Sequence, residues 1–256
     1  MMRAKGSAVH GISPLVPKNH FASVSLFREE PLVRWPYTDT VLFTAYDVYR
    51  SSDFWLDSVV KSGMTLKEGL VSLGFPKDNK IIADTGIFEL EAKKAGIAAD
   101  LGIEVAVHLT NDQIFEAYEL SGADFFVAPD EIILATDDNA SVIEKTSTIK
   151  SNMQDLLKVI PPSKTIGVLQ GIEPKIVANL FDFYKEQGID KFAIGGLIPL
   201  YRYDKMLFGQ VIRHVRELTQ GYWLHTFGLP TPGLIPYYLQ EVGMDSVDTS
   251  TLLYLT

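Results

Sequence analysis

The chain has 256 residues, of which 46% are apolar, and a formal charge of −9. That is enough apolar material for one sizeable core, while the acidic balance excludes a generally basic nucleic-acid coat, so attraction to phosphates would have to come from a local patch. The absence of cysteine excludes disulfides, thiolate catalysis and cysteine-based zinc sites, and makes cytoplasmic residence the default expectation.

No apolar run approaches the roughly 18 residues of a membrane span. The short basic start lacks the apolar stretch of a secretory signal, so no membrane partner is expected. Residues 1–36, with Pro14, Pro17, Pro31 and Pro36, read as an irregular segment wrapping one end of the fold. Strand-like apolar runs follow at 41–45, 80–83, 124–128, 165–169, 191–194, 222–225 and 245–247, and an eighth is expected from 22–26 or 104–107. Helical spacing is found near 53–74, 111–121, 139–158, 174–187, 202–219 and 232–242. Thr110-Asn111-Asp112-Gln113 and Asp137-Asp138-Asn139 carry the small polar residues that start helices, and Gly122, Gly188 and Gly243 stand between a helix and the next strand. Strand–helix alternation across one undivided chain predicts an α/β fold with a parallel sheet, best satisfied by a single (β/α)8 TIM-type barrel over 1–256, with an open doubly wound sheet as the alternative.

Such a barrel gathers its chemistry at the C-terminal ends of its strands. Asp84, Asp130, Gln170, Gly195, Gly196, His225 and Asp248 all fall at or just after predicted strand ends. The competing reading is structural, since loops begin there and short acids make turns and caps. Arg202 with Lys205, and Arg213 with Arg216, are the candidate cationic patches, with a solvated helix face as the alternative.

Several of these segments resemble the tRNA-guanine transglycosylase superfamily, which exchanges a guanine in nucleic acid for a 7-deazaguanine. Asp84-Thr85-Gly86-Ile87-Phe88-Glu89 resembles that family's Asp-Ser-Gly-Gly-Phe-Gln, and Gly167-Val168-Leu169-Gln170-Gly171 its (Gly/Ala)-Ile-Val-Gln-Gly. Phe192-Ala193-Ile194-Gly195-Gly196-Leu197 is similar to Tyr-Ala-Ile-Gly-Gly-Leu, and Gly243-Met244-Asp245-Ser246-Val247-Asp248-Thr249 to Gly-Val-Asp-Met-Phe-Asp-Cys. Pro232 fits the family's preceding Gly-x-Gly-Thr-Pro segment loosely. The motifs run in the family's order from about residue 80 to 251.

The resemblance implies a TIM-type barrel enzyme with Asp248 as nucleophile at ribose C1′ and Asp84 as the acid/base for the departing and incoming bases. It implies that Asp130 accepts from the purine N1–H and exocyclic amine, while the Gln170 side chain and the Gly196 backbone bind the base carbonyl. Gly195 and Gly196 would let the backbone approach a flat ligand. Phe88 is expected to pack on the base; His225 lies where the family supplies an apolar residue over it, so its ring is expected to stack on the purine in that residue's place, with a structural histidine as the alternative. No cofactor is implied.

The sequence also departs from the family. Ile87 replaces the second glycine of the first motif and Glu89 its glutamine. The Cys-x-Cys-x-x-Cys…His zinc subdomain of the tRNA enzymes is expected to be missing. A zinc-free, acidic barrel fits the DNA-guanine transglycosylases slightly better than the tRNA enzymes, with DNA or tRNA as partner and a 7-deazaguanine as incoming base. A non-catalytic partner subunit, or a carboxylate-dependent N-glycoside hydrolase, is the alternative. Homodimerisation or pairing with a partner subunit is left open.

Overall fold

The computed structural model describes residues 20–23, 40–45, 62–72, 75–87, 109–228 and 231–249. Eight short strands lie in chain order: β1 His20–Ser23, β2 Thr40–Thr44, β3 Lys80–Asp84, β4 Phe125–Val127, β5 Thr165–Leu169, β6 Lys191–Ile194, β7 Trp223–Thr226 and β8 Ser246–Thr249. Each pairs in parallel with its successor, and β1 pairs with both β2 and β8, so the sheet curls into a closed ring.

Helices stand between the strands from β2 onward: α1 Leu66–Ser72, α2 Asn111–Ser121, α3 Asn139–Leu156, α4 Pro174–Glu186, α5 Leu197–Tyr203 and α6 Lys205–Leu218. A 3-10 turn at Pro232–Leu234 and a π-helical segment at Tyr237–Val242 complete the step from β7 to β8. The architecture is therefore α/β, a parallel barrel sheet with helices between strands. The β1–β2 connection and residues 104–107 lie outside the described residues. Within the stretch read as irregular, His20–Ser23 is the strand that closes the ring, two residues earlier than the expected start at 22.

Local chemistry sets the helix ends. The Thr110 side chain accepts from Gln113 N–H while the Gln113 side chain accepts from the Thr110 backbone, a reciprocal cap for α2. Asp138 caps α3 through Ser141 N–H at 2.8 Å. The helix expected over 202–219 is broken at Asp204, whose extended backbone (φ −154°) ends α5 while its carboxylate accepts from Met206 and Leu207 N–H to start α6. A capping aspartate stabilises two helix ends at that point better than it would stabilise one helix interior.

Strand periodicity separates two apolar layers. Val41, Phe43, Ile81, Ala83, Phe126, Phe192, Ile194, Leu224 and Val247 pack outward with helix residues such as Val177, Leu180, Phe181 and Tyr184 of α4 and Phe208, Val211, Ile212 and Val215 of α6. Those helix positions recur at three and four residues, which places them on one face. The alternate positions, Leu42, Ile82, Val127, Ile166, Val168 and Ala193, form a second cluster inside the ring with Phe125, Trp223 and Phe227. Every residue of β5 is buried because both of its faces are covered. Gly167 is required there, since a Cβ would meet the Tyr184 ring at 2.6 Å.

Candidate active site

Two-residue alternation carries the inward face upward to the C-terminal rim. From Ile82 it reaches Asp84, from Val168 Gln170, from Ala193 Gly195, from Trp223 His225 and Phe227, and from Ser246 Asp248. Parallel pairing then sets these side chains on one end of the barrel. Asp130 joins them from the segment after β4.

The first group is built around Asp130. Its buried carboxylate accepts a 2.6 Å hydrogen bond from Gln170 Nε2, and Gln170 is buried as well. Burial raises the Asp130 carboxyl most; the Gln170 hydrogen bond opposes this, and the charges of Asp84 and Glu131 add to the rise, which ends at about 7. The influence of Asp84 on both Asp130 and Tyr118 sets it in the same electrostatic neighbourhood. Asp84 itself is half-buried, and its Oδ2 accepts from Gly86 N–H at a long 3.4 Å, an Asx-type turn ahead of a glycine at φ +81°. That turn is the structural role weighed for Asp84, and it leaves Oδ1 outside the turn.

Gly195 and Gly196 lie against the Gln170 carboxamide. A Cβ on Gly195 would fall 2.8 Å from Gln170 Cδ, and one on Gly196 2.9 Å from Oε1. Gly196 also sits at φ +68°, a conformation that favours glycine. The buried Oε1 of Gln170 accepts no hydrogen bond among the described residues. The floor is held by two tyrosines whose hydroxyls donate to the carbonyls of Val127 (Tyr118, 2.6 Å) and Val168 (Tyr184, 3.0 Å), fixing β4 and β5 just before Asp130 and Gln170.

The second group surrounds Asp248, which is buried. Its Oδ1 accepts from Gly228 N–H at 2.8 Å and faces His225 Nε2 at 3.3 Å. The other ring nitrogen of His225 lies 2.8 Å from Ser246 Oγ. The imidazole is fully buried, stacked on Trp223 (5.8 Å, 12°) and met edge-on by Phe227 (4.6 Å, 71°). The two groups share the β6–β7 edge, where Ala193 pairs with His225 and Phe227 N–H donates to Ile194 O.

Asp84, Asp130, Gln170, Gly195, Gly196, His225 and Asp248 are thus assembled on one rim; Phe88 lies outside the described residues. Gly228, Ser246 and Phe227 were not among the expected site residues. The signal for Phe227 and Ser246 was present in the period-two series Trp223–His225–Phe227 and Ser246–Asp248, whereas Gly228 acts through its backbone N–H and falls in neither series. The cationic candidates separate. Arg216 is tied to Asp245, Gly243 O, Thr219 O and Tyr222 O, and Arg213 to the Tyr237 hydroxyl. Arg202 is exposed and Lys205 lies over the Tyr201 ring at 4.9 Å.

Among the described residues, no group of three or more histidines and acids could hold a metal ion, and no helix is long and apolar enough to cross a membrane. No protein-family model matches the chain, and no curated protein matches it.

Proposed function

We propose that the chain is a guanine transglycosylase on a (β/α)8 TIM-type barrel, exchanging a guanine in DNA or tRNA for a 7-deazaguanine through an aspartyl–ribosyl intermediate. The observation that carries this reading is the Asp248 carboxylate, anchored through Oδ1 on the rim that also holds Asp84 and the buried Asp130–Gln170 pair. The family likeness of the motifs around these residues supports the same assignment.

The target nucleotide must leave its stack to reach such a rim. Asp248 attacks C1′, the C1′–N9 bond breaks, and guanine leaves with the bonding electrons and a proton from Asp84. The incoming base loses a proton to Asp84 and attacks C1′ through nitrogen, which releases Asp248. Asp130 reads the N1–H and exocyclic amine as a carboxylate; an acid held near 7 ionises readily once two donors face it. Gln170 and the Gly196 backbone hold the carbonyl edge.

The test offers labelled guanine with purified DNA and tRNA in parallel, using the wild-type chain and Asp248→Asn. Label should enter one polymer with the wild type and neither with the variant. Incorporation by Asp248→Asn at the wild-type rate would refute the mechanism. A hydrolase is the second reading, favoured by an acid held at about 7 beside further carboxylates, the pairing that glycoside hydrolysis uses. Free guanine released into water without exchange would select it. Polymer binding with no exchange of any base would select the non-catalytic partner.

A further inference from the structure

We propose that His225 is a positioning residue for Asp248: it fixes Oδ1 of the carboxylate, so that Oδ2 is the oxygen that bonds ribose C1′. This rests on the exchange reading above. Both polar contacts of the Asp248 side chain fall on one oxygen, the Gly228 N–H at 2.8 Å and His225 Nε2 at 3.3 Å. Oδ2 makes neither a hydrogen bond nor an ion pair among the described residues.

Nε2 faces Oδ1 at 3.3 Å outside hydrogen-bond geometry; because a carboxylate can only accept, a ring with its hydrogen on Nε2 is the form that closes this contact. Ser246 Oγ, 2.8 Å from Nδ1, suits either protonation of the ring because a hydroxyl both donates and accepts. The ring cannot swing away: Trp223 stacks parallel to it, Phe227 meets it edge-on, and none of it is exposed. These contacts also occupy the imidazole that would otherwise stack on a purine. His225 thus acts through Asp248 and not on the base.

The consequence for the reaction is geometric. Oδ2 forms the bond to C1′ as the C1′–N9 bond breaks, and Oδ1 becomes the carbonyl oxygen of the ester. That oxygen still accepts from Gly228 N–H and still faces His225 Nε2. The acyl group therefore stays in place, and the same donors stabilise the carboxylate as it leaves in the second half-reaction. Contacts of this kind shorten as charge develops, so 3.3 Å is close enough to begin with.

The experiment compares His225→Met, His225→Gln and Ser246→Ala with the wild type in labelled-guanine exchange, with thermal melts alongside. His225→Met removes the donor and should lower kcat about 100-fold. The KM for the base should move by less than about threefold, since other residues hold the base. His225→Gln restores a donor near the Nε2 position and should recover at least about tenfold of that loss. Ser246→Ala should fall between His225→Met and wild type. Equal rates for Met and Gln, a loss confined to KM, or an unchanged kcat in His225→Met would each overturn the proposal while leaving the exchange reading standing. If His225→Met does not fold, an unchanged kcat in Ser246→Ala overturns it. A wild-type chain with no exchange on either polymer fails the exchange reading itself.

Discussion

Asp130 makes a quantitative forecast about stability. Its carboxyl, ordinarily near 3.8, is pushed up to about 7 by burial, with Gln170's hydrogen bond opposing and the charges of Asp84 and Glu131 assisting. At about 1.4 kcal/mol per pH unit, that rise corresponds to roughly 4 kcal/mol favouring the protonated form in the fold. The sign follows from proton counts. Between pH 3.8 and about 7 the folded chain holds the Asp130 proton and the unfolded chain has lost it, so stability falls as pH rises through this window. The contribution is complete below 3.8 and gone above about 7. Asp130→Asn cannot ionise, keeps the shape, and still presents an oxygen to Gln170 Nε2.

The variant should therefore gain on the wild type through this window, by up to about 4 kcal/mol, and run parallel to it at higher pH. Groups that titrate alike in both chains cancel in the difference. Urea denaturation at half-unit steps from pH 4 to 8 measures it. Repeating the pair in an Asp84→Asn background removes one of the charges that raise Asp130, and should move the window to lower pH. A flat difference, or a variant that loses ground as pH rises, would refute the reasoning. The same variant should lose base recognition, the usual exchange of stability against a strained functional group.

Gly195→Ala drives a Cβ into the Gln170 carboxamide and to within 2.9 Å of Val168 Cγ1. It should raise the KM for the base by at least about tenfold and cost about 1–3 kcal/mol in a thermal melt; a KM within twofold of wild type would separate Gln170 from base binding. Asp124→Ala removes the acceptor of Ile81 N–H (3.0 Å) and the partner of Lys67 (2.6 Å) and Lys80 (3.3 Å), a loss of about 1–3 kcal/mol near neutral pH with exchange activity intact. Burial alone would raise the Asp124 carboxyl, but those hydrogen bonds and charges outweigh it and hold it below 3.8. Its stabilisation is therefore present above 3.8 and lost as pH falls through the folded value. The Asp124→Ala deficit should close on acidification, and a deficit that widens there would contradict the assignment.

What was legible in the sequence was local. The polar runs at 110–113 and 137–139, in which Thr110 and Asp138 prove to be the caps, and the glycines at 122, 188 and 243 mark element ends because capping and positive-φ preferences act within a few residues. Strands β2 to β8 were legible for the same reason, as short apolar runs between helical spacings. Asp204 was not, because an apolar period continues across it and only the capping geometry breaks the helix. His225 shows the other limit. Its stacking on Trp223, its contact with Asp248 and its bond to Ser246 depend on the β7–β8 register, which pairs His225 with Ser246. A residue-by-residue scan cannot supply that register, though the alternation of inward positions could have flagged Ser246.

Four acids of this barrel, Asp124, Asp245, Asp130 and Asp248, divide by end, and the division bears on chemistry. Asp124, just before β4, accepts from Ile81 N–H, and Asp245, just before β8, accepts from Leu224 N–H; each is also paired with cations, Lys67 and Lys80 in one case and Arg216 in the other. These acids join neighbouring strands at their N-terminal edge and are consumed in doing so. At the opposite edge Asp130 and Asp248 have no lysine or arginine partner among the described residues; they are held by an amide, a backbone N–H and an imidazole. An amide and a backbone N–H orient a carboxylate without neutralising it, which is what a nucleophile or an acceptor of base N–H groups requires. On the proposed function the rim meets its polymer through an extruded base and ribose. On that reading the cations available for phosphate are the exposed Arg202 and Lys205 beside Tyr201, at the α5–α6 junction that follows Gly196.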